Sequence, residues 1–240
     1  MAMKELGWAC YRVEVSMLKS TKESVTVSAD FLLTEFCGKS GDERLFAIDI
    51  ESCDSDEEMN LNLLGRELYP IEIYVSSNRE IVGVRNWRES LRRVKRELRV
   101  SAERLKSLNL YDYLFSSVSN IESEEDFITM LMRNTFFQIM FSNYVGGDRI
   151  HMVYDYPNYG DNVPFVYEAT PSKVCEDYAQ YKAKLGRISA YNSFNYSGAG
   201  QFRYRFKSGF LPHEVYASFL FEAEESGFYK KEVHILNVGD

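Results

Sequence analysis

Apolar and polar side chains alternate through much of the first 86 residues. Tyr11, Val13 and Val15 stand at every second position, and Val25, Val27, Ala29, Phe31 and Leu33 repeat the pattern over a longer run. A period of two puts such residues on one face of an extended chain. A turn containing Gly38, Ser40 and Gly41 leads into residues 45–50, so these runs predict an antiparallel hairpin. The acids Asp54, Asp56, Glu57 and Glu58 precede Met59, Leu61, Leu63 and Leu64, which predicts a short helix with carboxylates in its positive first turn and a stop at Gly65. Ile71, Ile73 and Val75 face Ile81 and Val84 across Ser77, Asn78 and Arg79, a second hairpin.

The period then lengthens. Leu91, Val94, Leu98, Ala102, Leu105 and Leu108 recur at spacings of three and four, predicting one helix over 87–108 with Asn86 as its cap and Glu89 completing a capping-box-like start. A further helix is predicted from Ser123, where Glu124, Glu125 and Asp126 precede Phe127, Ile128, Leu131, Phe136, Ile139 and Met140. Its apolar positions cover most of the circumference, Met130, Met132, Phe137 and Phe141 included, so it is expected to be surrounded by protein. A membrane span is the alternative, and Arg133, Asn134 and Gln138 in its middle argue against it. Gly146 and Gly147 are its expected end.

Strand character returns in a Tyr-rich stretch over 151–167 and around 174–185, 202–206, 215–223 and 231–238. Strands, helices, then strands again define an α+β class: largely antiparallel sheet with a central block of two to three helices, because parallel βαβ units would alternate helix and strand throughout. No Pro/Gly/Ser-rich or charge-block linker divides the chain. The expected organisation is a single unit over 1–240, strand-rich in 1–86, helical in 87–146 and strand-rich in 147–240. Ala29, Phe31, Leu32 and Glu35 faintly echo Ala217, Phe219, Leu220 and Glu222, a likeness that any two amphipathic hairpins share.

Composition narrows the function classes. The formal charge of −8 argues against general binding of a phosphate backbone, so nucleic acid is not an expected partner. The aromatic share of 15% suits strands and wide apolar faces. Cys10, Cys37, Cys53 and Cys175 have no CxxC spacing, and only His151, His213 and His234 could join them, so no metal is expected. Residues 1–10 lack the basic start and apolar core of a cleaved leader, which points to a cytoplasmic chain with reduced thiols.

Motifs for chemistry are absent. The run 54–58 lacks the glycine and distal glutamate of a calcium loop and reads as helix-start acids. Residues 195–201, with Gly198 and Gly200, match neither GxxxxGK(S/T) nor GxGxxG, and read as a turn. No GxSxG elbow or cysteine-protease signature occurs; His213, beside Pro212 and Glu214, is the one loop-placed histidine. No cofactor is expected, and a non-enzyme is favoured over an enzyme with a distributed site.

Two surfaces remain. The 87–108 helix concentrates cations in a net acidic chain, and Arg92, Arg96 and Arg99 flank its apolar stripe, as a docking face for an acidic protein surface or a phosphate-bearing ligand would require; a solvated face with pairs such as Glu89 and Arg93 is the plainer explanation. Tyr154, Tyr156 and Tyr159, interleaved with Asp155, Pro157, Asn158 and Gly160, read as a recognition loop or as a hairpin whose tyrosines cover a sheet edge. The favoured function is a non-catalytic interaction or adaptor subunit of a larger assembly. The alternative is a carrier of a small apolar or amphipathic ligand in a cavity between sheet and helix, beneath a lid formed by the helix at 127–141.

Overall fold

The computed structural model describes residues 5–19, 25–37, 42–54, 66–107, 115, 118–132, 134–142, 150–156, 163–185, 196–207, 209–223 and 227–239. The chain is mostly antiparallel strand with few helices, and it gathers into two compact units. The first takes residues 1–11, 29–132 and 239–240, the second 12–28 and 133–238. Strands β1 (Glu5–Lys19) and β2 (Val25–Cys37) contribute residues to both.

In the first unit the strand order is β5-β4-β3-β2-β1, with β3 at Glu43–Asp54, β4 at Ile71–Ser76 and β5 at Ile81–Val84. The hairpin expected around residues 77–79 is present, with Ile73 opposite Val84 and Tyr74 opposite Gly83. Ile71, Ile73 and Val75 are fully buried while Glu72, Tyr74 and Ser76 between them are half-buried, the alternation that makes a strand of this segment. Arg79 takes the left-handed backbone conformation that closes the turn. The acidic run beyond Asp54, the helix expected after it and the turn at 38–41 lie outside the described residues; Asp54 itself ends β3.

The helix expected over 87–108 is two helices, α1 (Trp87–Val100) and α2 (Ala102–Ser107). Ser101 separates them, and its hydroxyl donates to the Glu97 carboxylate, a local bond that competes with helix continuation. Asn86 does not cap α1 with its side chain. Its Oδ1 accepts from the Glu72 amide at 2.9 Å and its Nδ2 donates to the Pro70 carbonyl at 2.8 Å, so it fastens the helix start to the head of β4.

The helix expected over 123–141 is likewise two: α3 (Glu124–Leu131) in the first unit and α4 (Thr135–Met140) in the second. Ser123 starts α3 with a full capping box whose third-position acid is Asp126. The Ser123 hydroxyl and the Glu122 and Ser123 amides hold the Asp126 carboxyl below its ordinary range. Asn134 restarts the helix: its backbone is extended and its side chain accepts from the Phe136 amide at 2.9 Å. The Glu124 carboxylate accepts the Val84 amide of β5 at 2.5 Å, so α3 covers the outer edge of that strand.

The second unit has the order β2-β1-β11-β10-β9-β8-β7-β6, with β6 at Ile150–Tyr156, β7 at Val163–Cys175, β8 at Tyr178–Leu185, β9 at Tyr196–Arg205, β10 at Glu214–Ala223 and β11 at Gly227–Asn237. The strand expected around 174–185 is in fact the end of β7, a turn at Glu176 and Asp177, and β8. Ala179, Tyr181, Ala183, Phe202, Tyr204, Val215, Ala217, Phe219, Val233 and Ile235 alternate inward and are buried. Lys231 shares their side and donates to Thr135 Oγ1 at 2.7 Å, which brings the start of α4 to this inner face.

Gly198 and Gly200, read as part of a turn, lie inside β9. Gly200 stands opposite Phe219 on one side and Ala183 on the other. A Cβ there would sit 3.1 Å from the Ser218 carbonyl and 3.3 Å from both Ala183 Cβ and the Phe219 ring, so the missing side chain is the space into which the phenylalanine packs. Gly200→Val is expected to destabilise the protein by about 1–3 kcal/mol through overpacking, measured as a lowered denaturant midpoint at unchanged slope.

Among the described residues no helix is long and apolar enough to cross a membrane.

Candidate functional site

Helix α1 carries Arg88, Arg92, Arg93, Lys95, Arg96 and Arg99 against Glu89 and Glu97. Its inner face is set by the buried Ser90, Leu91, Val94 and Leu98. At about 100° per residue, Arg88, Arg92, Arg96 and Arg99 fall within an arc of roughly 80° turned away from that face, and they span about 16 Å of helix. All four are exposed. Arg88 stacks its guanidinium 5.1 Å from the centre of the Trp87 ring, and Arg96 has only a long 3.8 Å approach to Glu67 with 73% of its side chain exposed. The expected positions Arg92, Arg96 and Arg99 therefore lie on one solvent-facing stripe, which Arg88 extends.

Arg93 leaves that stripe. Its guanidinium donates to the carbonyls of Glu67 (3.0 Å), Leu68 (3.2 Å) and Pro70 (3.1 Å) and to Ser90 Oγ (3.0 Å), with Glu89 3.4 Å away. The intrahelical pair expected of a solvated face is present, but the main work of this arginine is to tie the segment before β4 to α1. Next to it, burial first and Asp49 second push the Tyr69 phenol above its ordinary range, and its ring meets Phe31 edge-on at 5.8 Å.

The tyrosine segment is partly within the described residues. Tyr154 and Tyr156 belong to β6, opposite Phe165 and Val163 of β7, so they are strand rather than loop; Tyr159 lies outside the described residues.

A third cluster has no counterpart in the sequence reading. On the outer face of the second unit's sheet, cross-strand register lines up Tyr178, Arg205 and Glu214 in one row. The next row runs Lys173, Gln180, Arg203, Tyr216 and His234 across five strands. Glu214 is 3.1 Å from His234 Nε2 and accepts from Arg205 at 3.1 Å. Glu232 accepts from the Tyr216 hydroxyl and from Lys230 at 3.0 Å. Arg203 lies 4.8 Å over the Tyr216 ring, and Lys173 5.5 Å over that of Tyr178.

Charge pairing shifts these groups. The His234 hydrogen bond, with Arg205 assisting, holds Glu214 below the usual carboxylate range; the Tyr216 hydroxyl and Lys230 do the same for Glu232, and the Glu232 bond raises the Tyr216 phenol. Stability from a depressed carboxylate is present above its unfolded pKa and lost as pH falls through the folded one. Glu214→Gln is therefore expected to lower the melting temperature by about 1–2 °C at pH 7 and to differ less from the parent below the ordinary glutamate value of 4.5. Thermal melts of both proteins at pH 7 and pH 3.5 check this.

No family model and no curated protein matches this chain. Among solved structures, a LolA superfamily protein from Nitrosomonas europaea is similar at a TM-score of 0.30 and 9% identity, over 96% of this chain and 84% of that one. That is too faint a likeness to carry function. The residues have to carry it.

Among the described residues no three His, Cys, Asp or Glu side chains converge as a metal site. His213 is held through its backbone, donating to the Arg205 carbonyl at 2.8 Å and accepting from the Asn237 amide at 2.9 Å. The side chain of His151, in β6, is not among those described. His234 lies in the last strand, faces outward and is hydrogen-bonded to Glu214. Register across β9, β10 and β11 is what unites these groups, and no single-chain motif encodes it. The one legible trace is alternation itself, since Glu214 and Tyr216 on one strand, and Glu232 and His234 on the other, stand two apart.

Proposed function

We propose that this protein is a non-catalytic interaction subunit that docks an acidic protein surface along α1. The observation that carries the reading is the stripe of Arg88, Arg92, Arg96 and Arg99, four exposed arginines on the side of the helix opposite its buried residues. A chain of net charge −8 that gathers cations on one exposed helix face offers charge complementarity there to an acidic partner. The whole chain acts as one functional unit in this reading, because β1 and β2 supply residues to both compact units. A cytoplasmic setting and a place in a larger assembly belong to the same proposal. Size-exclusion chromatography with light scattering, on protein purified from its own host under low salt, tests it. A salt-sensitive complex is the expected result, and a monomer at every ionic strength overturns the reading.

A second reading, a carrier of a small apolar ligand, draws on the inner face of the second unit's sheet. Tyr181, Tyr204, Phe202 and Phe219 line that face, and the adjoining α4 brings Phe136 and Phe137. The lid reduces to residues 135–140, since 127–131 belong to α3 in the other unit. Native mass spectrometry of gently purified protein would show a bound lipid-sized mass if this reading holds, and the bare chain mass if it does not.

A further inference from the structure

On the outer face of β7, β8 and β9, Gln180 has cations at three neighbouring positions. Register places Lys173 of β7 opposite it on one side and Arg203 of β9 opposite it on the other, and Lys182 follows two residues along β8. Neighbouring strands are about 4.8 Å apart, so each cation's backbone is one strand or one strand repeat from the glutamine. Alternation confirms the face: Ala179, Tyr181 and Ala183 are buried, whereas Lys182 and Arg203 are exposed. Lys173 joins them through its position over the outward Tyr178 ring.

The groups are held in place rather than loosely displayed. Tyr178 donates its hydroxyl to Gln180 Oε1 at 3.0 Å, which leaves the glutamine amide hydrogens as outward donors. Tyr216 lies under Arg203 at 4.8 Å and Tyr178 under Lys173 at 5.5 Å, each ring orienting a cation without neutralising it. The carboxylates of Glu214 and Glu232 are engaged elsewhere, Glu214 by Arg205 and His234, Glu232 by Lys230 and Tyr216. Asp177, at the adjacent turn, accepts from the Cys175 thiol.

We propose that Lys173, Lys182, Arg203 and the Gln180 amide form a binding site for a tetrahedral oxyanion, a phosphoryl or sulfate group. Three cationic side chains from positions neighbouring Gln180, together with its neutral amide donor, match an anion of charge about −2, with arginine supplying a planar pair of donors. The inference is independent of the reading of α1, whose arginines lie in the other compact unit.

The test is a titration of the full chain with inorganic phosphate and with inorganic sulfate at low ionic strength, followed by amide NMR. Saturable shifts at Gln180 and its strand neighbours are expected, weakening as salt is added. Combined Lys173→Gln, Lys182→Gln and Arg203→Gln should lower the affinity about tenfold or more, with the melting temperature retained. Should the triple variant fail to fold, Lys182→Gln alone, an exposed side chain, should still weaken binding about threefold. A variant with Arg92, Arg96 and Arg99 changed to glutamate should bind the anions at this site as the parent does. Vesicles of phosphatidylcholine with and without phosphatidic acid identify the source: co-sedimentation lost in the triple variant assigns a lipid headgroup, and binding of the inorganic anions alone assigns a soluble one. No saturable shift in the parent, or equal affinity in the glutamine variants, overturns the proposal.

Discussion

Arg93→Ala is expected to lower the melting temperature by roughly 6–12 °C, more than any other single arginine change in α1. The guanidinium bonds three consecutive-region carbonyls, those of Glu67, Leu68 and Pro70, and Ser90 Oγ, with only 21% of the side chain exposed. Those carbonyls precede β4, so their segment has no ladder of its own to satisfy them at that point. Removing a charged donor that serves the part-buried Glu67 and Leu68 carbonyls and Ser90 Oγ costs about 2–4 kcal/mol, because these acceptors lose that partner without regaining bulk water, whereas the exposed Pro70 carbonyl keeps its bond from Asn86. Arg93→Lys should recover only part of the loss, since a point-like ammonium cannot reach the same fan of acceptors as a planar fork. Differential scanning calorimetry of the three proteins measures the ranking. A melt of Arg93→Ala that overlays the parent would show that Asn86 and the packing of Leu91, Val94 and Leu98 hold the segment without it.

Reversing Arg92, Arg96 and Arg99 to glutamate should do the opposite, leaving the melt close to the parent and weakening partner association by about 100-fold. The three sites are exposed and bury no apolar surface, and arginine and glutamate are both good helix formers, so the propensity cost stays well below about 1 kcal/mol per site. Association, by contrast, would meet repulsion where it now meets attraction. The measurement is the complex formed by host-purified protein, compared by light scattering for parent and variant at two salt concentrations, with circular dichroism as the control for folding. Equal complex formation by the variant would make α1 a solvated face. The contrast between Arg93 and its neighbours sharpens the test, because Arg93 is predicted to stabilise the fold while Arg92, Arg96 and Arg99 bind.

Much of the candidate surface on α1 was legible beforehand. Charge and a 3.6-residue period both act locally, so Leu91, Val94 and Leu98 identify the inner face and Arg92, Arg96 and Arg99 follow as outer positions. What the period did not reveal is Arg93's inward turn, which depends on carbonyls some 25 residues earlier in the chain. Asn86 was misread for a similar reason. A cap and a cross-link to Glu72 and Pro70 demand the same residue type, and only the arrival of β4 beside it decides between them.

Alternation at every second residue was enough to establish an antiparallel, strand-dominated chain and to place the hairpin around residues 77–79, because side-chain period is a property of the backbone itself. Helix starts at Ser123 were readable for the same local reason. Breaks were not: the hydroxyl of Ser101 and the side chain of Asn134 divide two apolar periodicities that run on past them without a phase change. The strand identity of Gly200 was hidden too, since a glycine loop and a glycine making room for Phe219 look alike until β8 and β10 flank it. Hardest to foresee was the outer network of the second sheet. Lys173, Gln180, Arg203, Tyr216 and His234 are spread over more than sixty residues, and they become neighbours only because register, a long-range choice made strand by strand, sets them in one row.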